Sequence, residues 1–177
     1  MNERLPWLVA PTAEGRALAE LLQAAGVAAE ARDSFQYEMA KKYVVNGCAN
    51  LLSCVTNCHC AGLLALHKPR MRTILREFLD VLPRAHPDAA RPYPIEKSLA
   101  WPGFEEEVWL ALGSYAEHYP STWHDFQAGR VLEVHALNGY TCDKGRALGV
   151  PTPENDALCA EVMAACASAR ASSNANL

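Results

Sequence analysis

No Gly-x-Gly occurs anywhere in the 177 residues. The glycine-rich turn that seats a dinucleotide pyrophosphate between a strand and a helix is therefore missing. Positive charge is also short: 16 Lys and Arg stand against 20 Asp and Glu, for a net charge of −4. That balance excludes the basic face a nucleic-acid binder needs. No run of like charge marks a tail or a membrane-surface patch. The first ten residues hold too short an apolar run for a secretory leader. No segment alternates with the two-residue period of a strand, and none repeats, so the expected fold is all-α, with six or seven helices in one domain.

Charge is missing from one long stretch. After Lys42 no Asp, Glu, Lys or Arg appears until Lys68. Tyr43 to Leu66 is long enough to span a bilayer. It carries Asn46, Asn50, Ser53, Thr56, Asn57 and His59, which rule that out. It reads instead as the buried central helix of a soluble protein. The seven cysteines are odd in number, and most sit in apolar helical patterns. Reduced thiols in a cytoplasmic protein fit them better than a disulfide framework.

Residues 1–10 read as an extended lead-in, 11–168 as the helical domain and 169–177 as a frayed tail. Thr12 is placed to cap a helix over Ala13 to Ala25, closed by Gly26. Asp33 or Ser34 caps the long helix. Met71, Ile74, Leu75, Phe78, Leu79 and Leu82 then fall at helical spacing. Four prolines between His86 and Pro102 predict a loop. Helices are expected over Phe104 to Tyr119, Ser121 to Gly129 and Val131 to Leu148. A last one starts at Pro153, capped by Thr152.

Within the uncharged helix, Lys42, Asn46 and Asn50 recur every four residues. Four residues turn a helix by about 400°, so the three side chains form one slowly drifting stripe roughly 12 Å long. Buried polar groups need partners. Either the stripe faces a polar ligand in a cleft, or Lys42 caps the wet end of the helix and both Asn bond neighbouring backbone. A second polar constellation, Ser121-Thr122-Trp123-His124-Asp125, leads through Gly129-Arg130 to Glu133. Glu133 either satisfies a helix dipole or pairs with Lys42, which would hold the ammonium protonated and oriented.

The two constellations in order are Lys42-x3-Asn46-x3-Asn50 and Ser121-x3-Asp125-x3-Gly129-Arg130-x2-Glu133-x5-Gly139. With Gly149-x-Pro151-x-Pro153-x-Asn155 after them, the chain resembles the C-terminal domain of ketopantoate reductase (2-dehydropantoate 2-reductase) from the first helix to Cys166. That family joins a Rossmann domain binding NADP(H) to a helical domain like that of 6-phosphogluconate dehydrogenase. It reduces a 2-keto acid on the route to pantothenate. The resemblance implies Lys42 as general acid and Glu133 as the carboxylate near it. It implies Asn46, Asn50, Ser121 and Asp125 as substrate-binding residues. Three positions depart from the family pattern: Ala40, Leu132 and His135 stand where Trp, Thr and Asp are usual.

The Rossmann half is the larger departure. NADP(H) is expected only if a separate or missing Rossmann domain supplies its site. The domain is then a piece of a longer enzyme, a subunit that pairs with a Rossmann protein, or a non-catalytic helical module for binding or homodimerisation. Cys54, Cys58, Cys60 and His59 suggest zinc by residue type. In a continuous helix Cys60 points about 200° from Cys58, and no second ligand pair follows, so no metal is expected.

Overall fold

The computed structural model describes residues 6–86 and 103–175; the proline-rich stretch expected to be a loop lies outside them except for His86. Its architecture is built around the helix with the uncharged run. A short ribbon comes first: β1 (Trp7–Val9), α1 (Ala13–Ala24) and β2 (Ala29–Ala31). Seven helices follow: α2 (Phe35–Thr56), α3 (Cys60–Leu66), α4 (Lys68–Ala85), α5 (Gly103–Gly113), α6 (Ser121–Gln127), α7 (Asn138–Leu148) and α8 (Pro153–Ala175). The fold is all-α apart from the two three-residue strands.

Helix α2 packs against α3, α4, α5, α6 and α8. Such surroundings require apolar residues on nearly every face. Val44, Cys48, Leu51 and Leu52 are buried on it and meet Leu63, Met71, Ile74, Leu75, Phe78, Val108 and Leu158. Burying each Val, Leu or Ile of this core contributes about 1.5–3 kcal/mol. Gly47 allows the closest approach in this core: a β-carbon there would sit 2.2 Å from Cζ of Phe78. The missing side chain admits the Phe78 ring.

The expected helix from Ser34 to Leu66 is broken. Asn57 takes a left-handed conformation, φ 54°, and its N–H bonds the Ser53 carbonyl. Asn tolerates that conformation better than most side chains. His59 then caps α3 by accepting from the Gly62 N–H at 3.2 Å. The axes of α2 and α3 differ by 86°. This break accounts for the eighth described helix. It also leaves no single helix, among the described residues, long and apolar enough to cross a membrane.

Two other helices are shorter than expected. α5 ends at Gly113 rather than Tyr119, and α7 starts at Asn138 rather than Val131. Buried polar groups fix the second boundary. The Tyr43 hydroxyl donates to the Leu137 carbonyl at 2.6 Å, and Asn138 Nδ2 donates to the Gly47 carbonyl and to Asn155 Oδ1. Asn155 in turn donates to Glu77, whose carboxyl also accepts the backbone N–H groups of Glu154 and Asn155. Glu77 thereby occupies the start of α8, where orphan N–H groups need acceptors. α8 keeps its helical backbone to Ala175, past the point where a frayed tail was expected.

Candidate functional site

The four-residue spacing in α2 converts directly into a depth gradient. Lys42 is exposed, Asn46 is half-buried and Asn50 is buried. All three line one cleft of about 750 Å³, together with Ser121 from the first turn of α6. The cleft's other polar lining comes from Glu38, Lys41 and His118. Its apolar wall includes Phe35, Met39 and Val45 of α2, Ala111 and Leu112 of α5, and Tyr115 beyond it. Pro6 and Leu8 reach it from β1.

The two adjacent lysines have different surroundings. Lys41 Nζ donates to Glu107 Oε2 at 2.7 Å, and the same oxygen accepts from the Tyr37 hydroxyl at 2.5 Å. The Lys41 ammonium and the Tyr37 hydroxyl hold the Glu107 carboxyl below its usual value of 4.5. Burial, reinforced by that carboxylate, pushes the Tyr37 hydroxyl up. Lys41 is thus committed to a structural pair. Lys42 makes no hydrogen bond or ion pair with any described residue, and its charge stands at the cleft mouth.

At the deep end, Asn50 Nδ2 donates to Thr122 Oγ1 at 3.0 Å. That bond ties α2 to α6 next to Ser121 and fixes the amide. Cys60, the first residue of α3, also lines the cleft, and burial raises its thiol. A thiol held protonated is a packing group there, not a nucleophile.

Two sequence candidates lie elsewhere. Asp125 is outside the lining and pairs with Arg130 at 2.6 Å, closing the turn through Gly129. Glu133 is exposed and also outside the lining. The spacing of Lys42, Asn46 and Asn50 therefore located the cleft, and Ser121 joins it. Thr122, Tyr115, His118 and the β1 residues were missed. Thr122 carried a signal, since it neighbours Ser121 in one helical turn; Tyr115 and His118 sit in a turn with no periodicity to read. Cys54 Sγ donates to the Asn50 carbonyl and Cys58 Sγ to the Thr56 carbonyl. No group of three metal-ligating side chains converges among the described residues.

The start of α1 does not fit a dinucleotide pyrophosphate. The strand–helix turn after β1 feeds α1, whose first turn carries Glu14, and the Gly15 N–H there is already bonded to Thr12 Oγ1 at 3.1 Å. An anion at that helix start would meet a carboxylate and an occupied donor.

An ammonium, two amides and a hydroxyl thus face one cleft with largely apolar walls, the kind of concave surface in which small-molecule sites are found. Comparison with known proteins narrows the reading. The family model for "Ketopantoate reductase PanE/ApbA C terminal" matches residues 34–165. This chain belongs to the ketopantoate reductase family, as its C-terminal domain. It is 29% identical over 145 residues to the 2-dehydropantoate 2-reductase of Lactococcus lactis subsp. lactis (strain IL1403), covering 80% of this chain and 44% of that protein. The Shigella flexneri enzyme of the same name is 27% identical, with 80% and 43% covered. The chain thus spans less than half the length of these relatives.

Among solved structures, the ketopantoate reductase of Ralstonia eutropha JMP134 superposes with a TM-score of 0.74 at 26% identity, covering 91% of this chain and 51% of that one. A D-mandelate dehydrogenase structure with NADH and anilino(oxo)acetate gives 0.66 at 27% identity, covering 88% and 82%.

Proposed function

We propose that this chain is the substrate-binding and acid-catalytic half of a nicotinamide-dependent 2-keto acid reductase. The observation that carries the reading is the Lys42 ammonium, unpaired among the described residues, in the cleft that Asn46, Asn50 and Ser121 also line. Reduction of a ketone places negative charge on its oxygen, and a positioned ammonium stabilises that charge and gives up a proton to it. Asn46 and Ser121 offer donors and acceptors to the substrate carboxylate or hydroxyl, and Thr122 fixes Asn50. The wall of Phe35, Met39, Val45 and Leu8 suits an apolar substituent on the keto acid. Relatives named for 2-dehydropantoate reduction and mandelate dehydrogenation handle such acids.

The cofactor when bound supplies the hydride, and its site belongs to a nucleotide-binding domain. NADP(H), the pantothenate route and the cytoplasm come to this chain from its family alone. Asp125 and Glu133 enter the proposal only through the resemblance, since neither lines the cleft.

Calorimetric titration of the chain with 2-dehydropantoate and with phenylglyoxylate tests the site without a partner. The parent should bind one of them, and Lys42→Ala and Asn46→Ala should each weaken binding by about tenfold, the worth of a charged or polar hydrogen bond. No binding by the parent, or equal affinities for the parent and Asn46→Ala, would remove the substrate-binding reading; the acid role of Lys42 is judged by turnover.

A further inference from the structure

The cysteines are free thiols, and two of them meet across one helix interface. Asn138, Cys142 and Gly145 recur at helical spacing on α7, so they share a face. That face lies against the start of α8. At one end Asn138 Nδ2 donates to Asn155 Oδ1 at 2.8 Å. At the other, a β-carbon on Gly145 would sit 2.7 Å from the Val150 carbonyl oxygen and 2.9 Å from Thr152 Cγ2. Cys142 stands between these two close approaches and is buried. On the opposing segment Thr152, Asn155 and Cys159 also recur at helical spacing, which turns Cys159 back toward α7. The two thiols are in hydrogen-bond contact, Cys142 donating to Cys159.

Their surroundings differ. Cys159 is half-buried, and the hydrogen bond it accepts from Cys142 holds its thiol below the usual 9.0. Burial, Asp156 and Asp143 work against that, and Arg146 works with it. Arg146 binds both carboxylates, Asp156 at 2.8 Å and Asp143 at 2.5 Å. The same thiol–thiol bond, together with burial, raises Cys142. The thiolate is the nucleophile in sulfur chemistry. An accessible cysteine that ionises readily, beside a second one able to resolve it, is the arrangement of redox-sensing pairs. Cys58 is half-buried too, but it donates to the Thr56 carbonyl rather than to a thiol. Neither Cys142 nor Cys159 lines the Lys42 cleft.

We infer that Cys142 and Cys159 form a hydroperoxide-reactive dithiol that closes into a disulfide between α7 and α8. The Cys159 thiolate attacks one oxygen of the hydroperoxide. The O–O bond breaks, and its electron pair leaves with the other oxygen, which takes up a proton as water or an alcohol. Cys159 is then a sulfenic acid. The Cys142 sulfur attacks the Cys159 sulfur, the S–S bond forms and the S–O bond breaks. Hydroxide leaves and takes the Cys142 proton as water. Two thiols are oxidised and one hydroperoxide is reduced. A dithiol reductant reverses the closure by thiol–disulfide exchange. The bridge ties the start of α8 to α7 and restricts the unfolded chain, so the oxidised protein is the more stable form.

The test treats the reduced full chain with hydrogen peroxide and maps its disulfides by mass spectrometry without reduction. A Cys142–Cys159 bridge within one chain should dominate. The thermal midpoint should rise on oxidation and return with dithiothreitol, and Cys159→Ser should lose both the bridge and the rise. In Cys142→Ala, dimedone should trap a sulfenic acid on Cys159 at least about tenfold faster than on Cys58 or Cys166, as a larger thiolate fraction requires. If that variant fails to fold, the bridge map of the parent decides alone. Oxidation confined to Cys58 or Cys166, bridges formed only between chains, or Cys142 and Cys159 still reduced at peroxide concentrations that oxidise Cys58 would overturn the inference. The keto acid titration judges the cleft separately.

Discussion

The ribbon of residues 6–31 and α2 are of similar length and opposite character. α2 buries nine of its residues, among them the polar Asn50 and Ser53, each with a partner. The ribbon buries two alanines and leaves a tryptophan and two leucines in solvent. Burial decides what each segment does. From Val44 to Cys54 the helix is enclosed by core, and its regular four-residue turn holds an ammonium and two amides on one side. The ribbon has local hydrogen bonds but little core.

Aromatic truncations test that contrast most sharply. Phe78→Ala should cost about 3–5 kcal/mol, because it empties the centre of the core. Trp7→Ala should stay within about 0.5 kcal/mol in the same urea titration, because its ring is exposed. Comparable losses would mean that the ribbon has a core of its own. Next in size is Glu77→Ala, which strips the start of α8 of its acceptors and Asn155 of a partner. It should cost about 2–3 kcal/mol by thermal unfolding, the penalty of leaving buried donors unpaired.

Gly47→Ala should be smaller. Its new methyl collides with Phe78, an overpacking worth about 1–3 kcal/mol, offset by up to about 1 kcal/mol of helix propensity. Combining it with Phe78→Leu should recover part of the loss, and failure to recover would place the clash elsewhere.

The smallest effect is the pH dependence of the Glu107 pair. Its carboxyl titrates lower in the folded state than the usual 4.5. A lowered folded value means stability that is present in full above the unfolded value and fades as pH falls through the folded one. Glu107→Gln should therefore cost a constant amount, about 0.5 kcal/mol for so exposed a pair, from pH 7 down to about 4.5. Below that the two denaturation midpoints should converge. A difference that grows with acid would contradict the assignment.

How much could be read in advance follows the same division. The all-α class and the Thr12, Thr152 and Pro153 boundaries were legible because periodicity and capping are local. The break at Asn57 was not, because the apolar pattern continues through it and one left-handed residue turns the axis. The late start of α7 depends on Tyr43 and Asn155, far away in sequence. The strands escaped notice because three residues cannot show a period, and Ala29-Glu30-Ala31 has no β-branched residue. Lys42, Asn46 and Asn50 were readable as a stripe on one helix. Their meeting with Ser121, Tyr115 and His118 is tertiary.

The most direct measurement is NADPH oxidation by the chain joined to a nucleotide-binding half, with 2-dehydropantoate as substrate, for parent and Lys42→Ala. If the α2 ammonium is the acid, kcat should fall by about 10²–10⁴ with KM moving far less, the signature of a group needed mainly in the transition state. Equal turnover by the two proteins would contradict it.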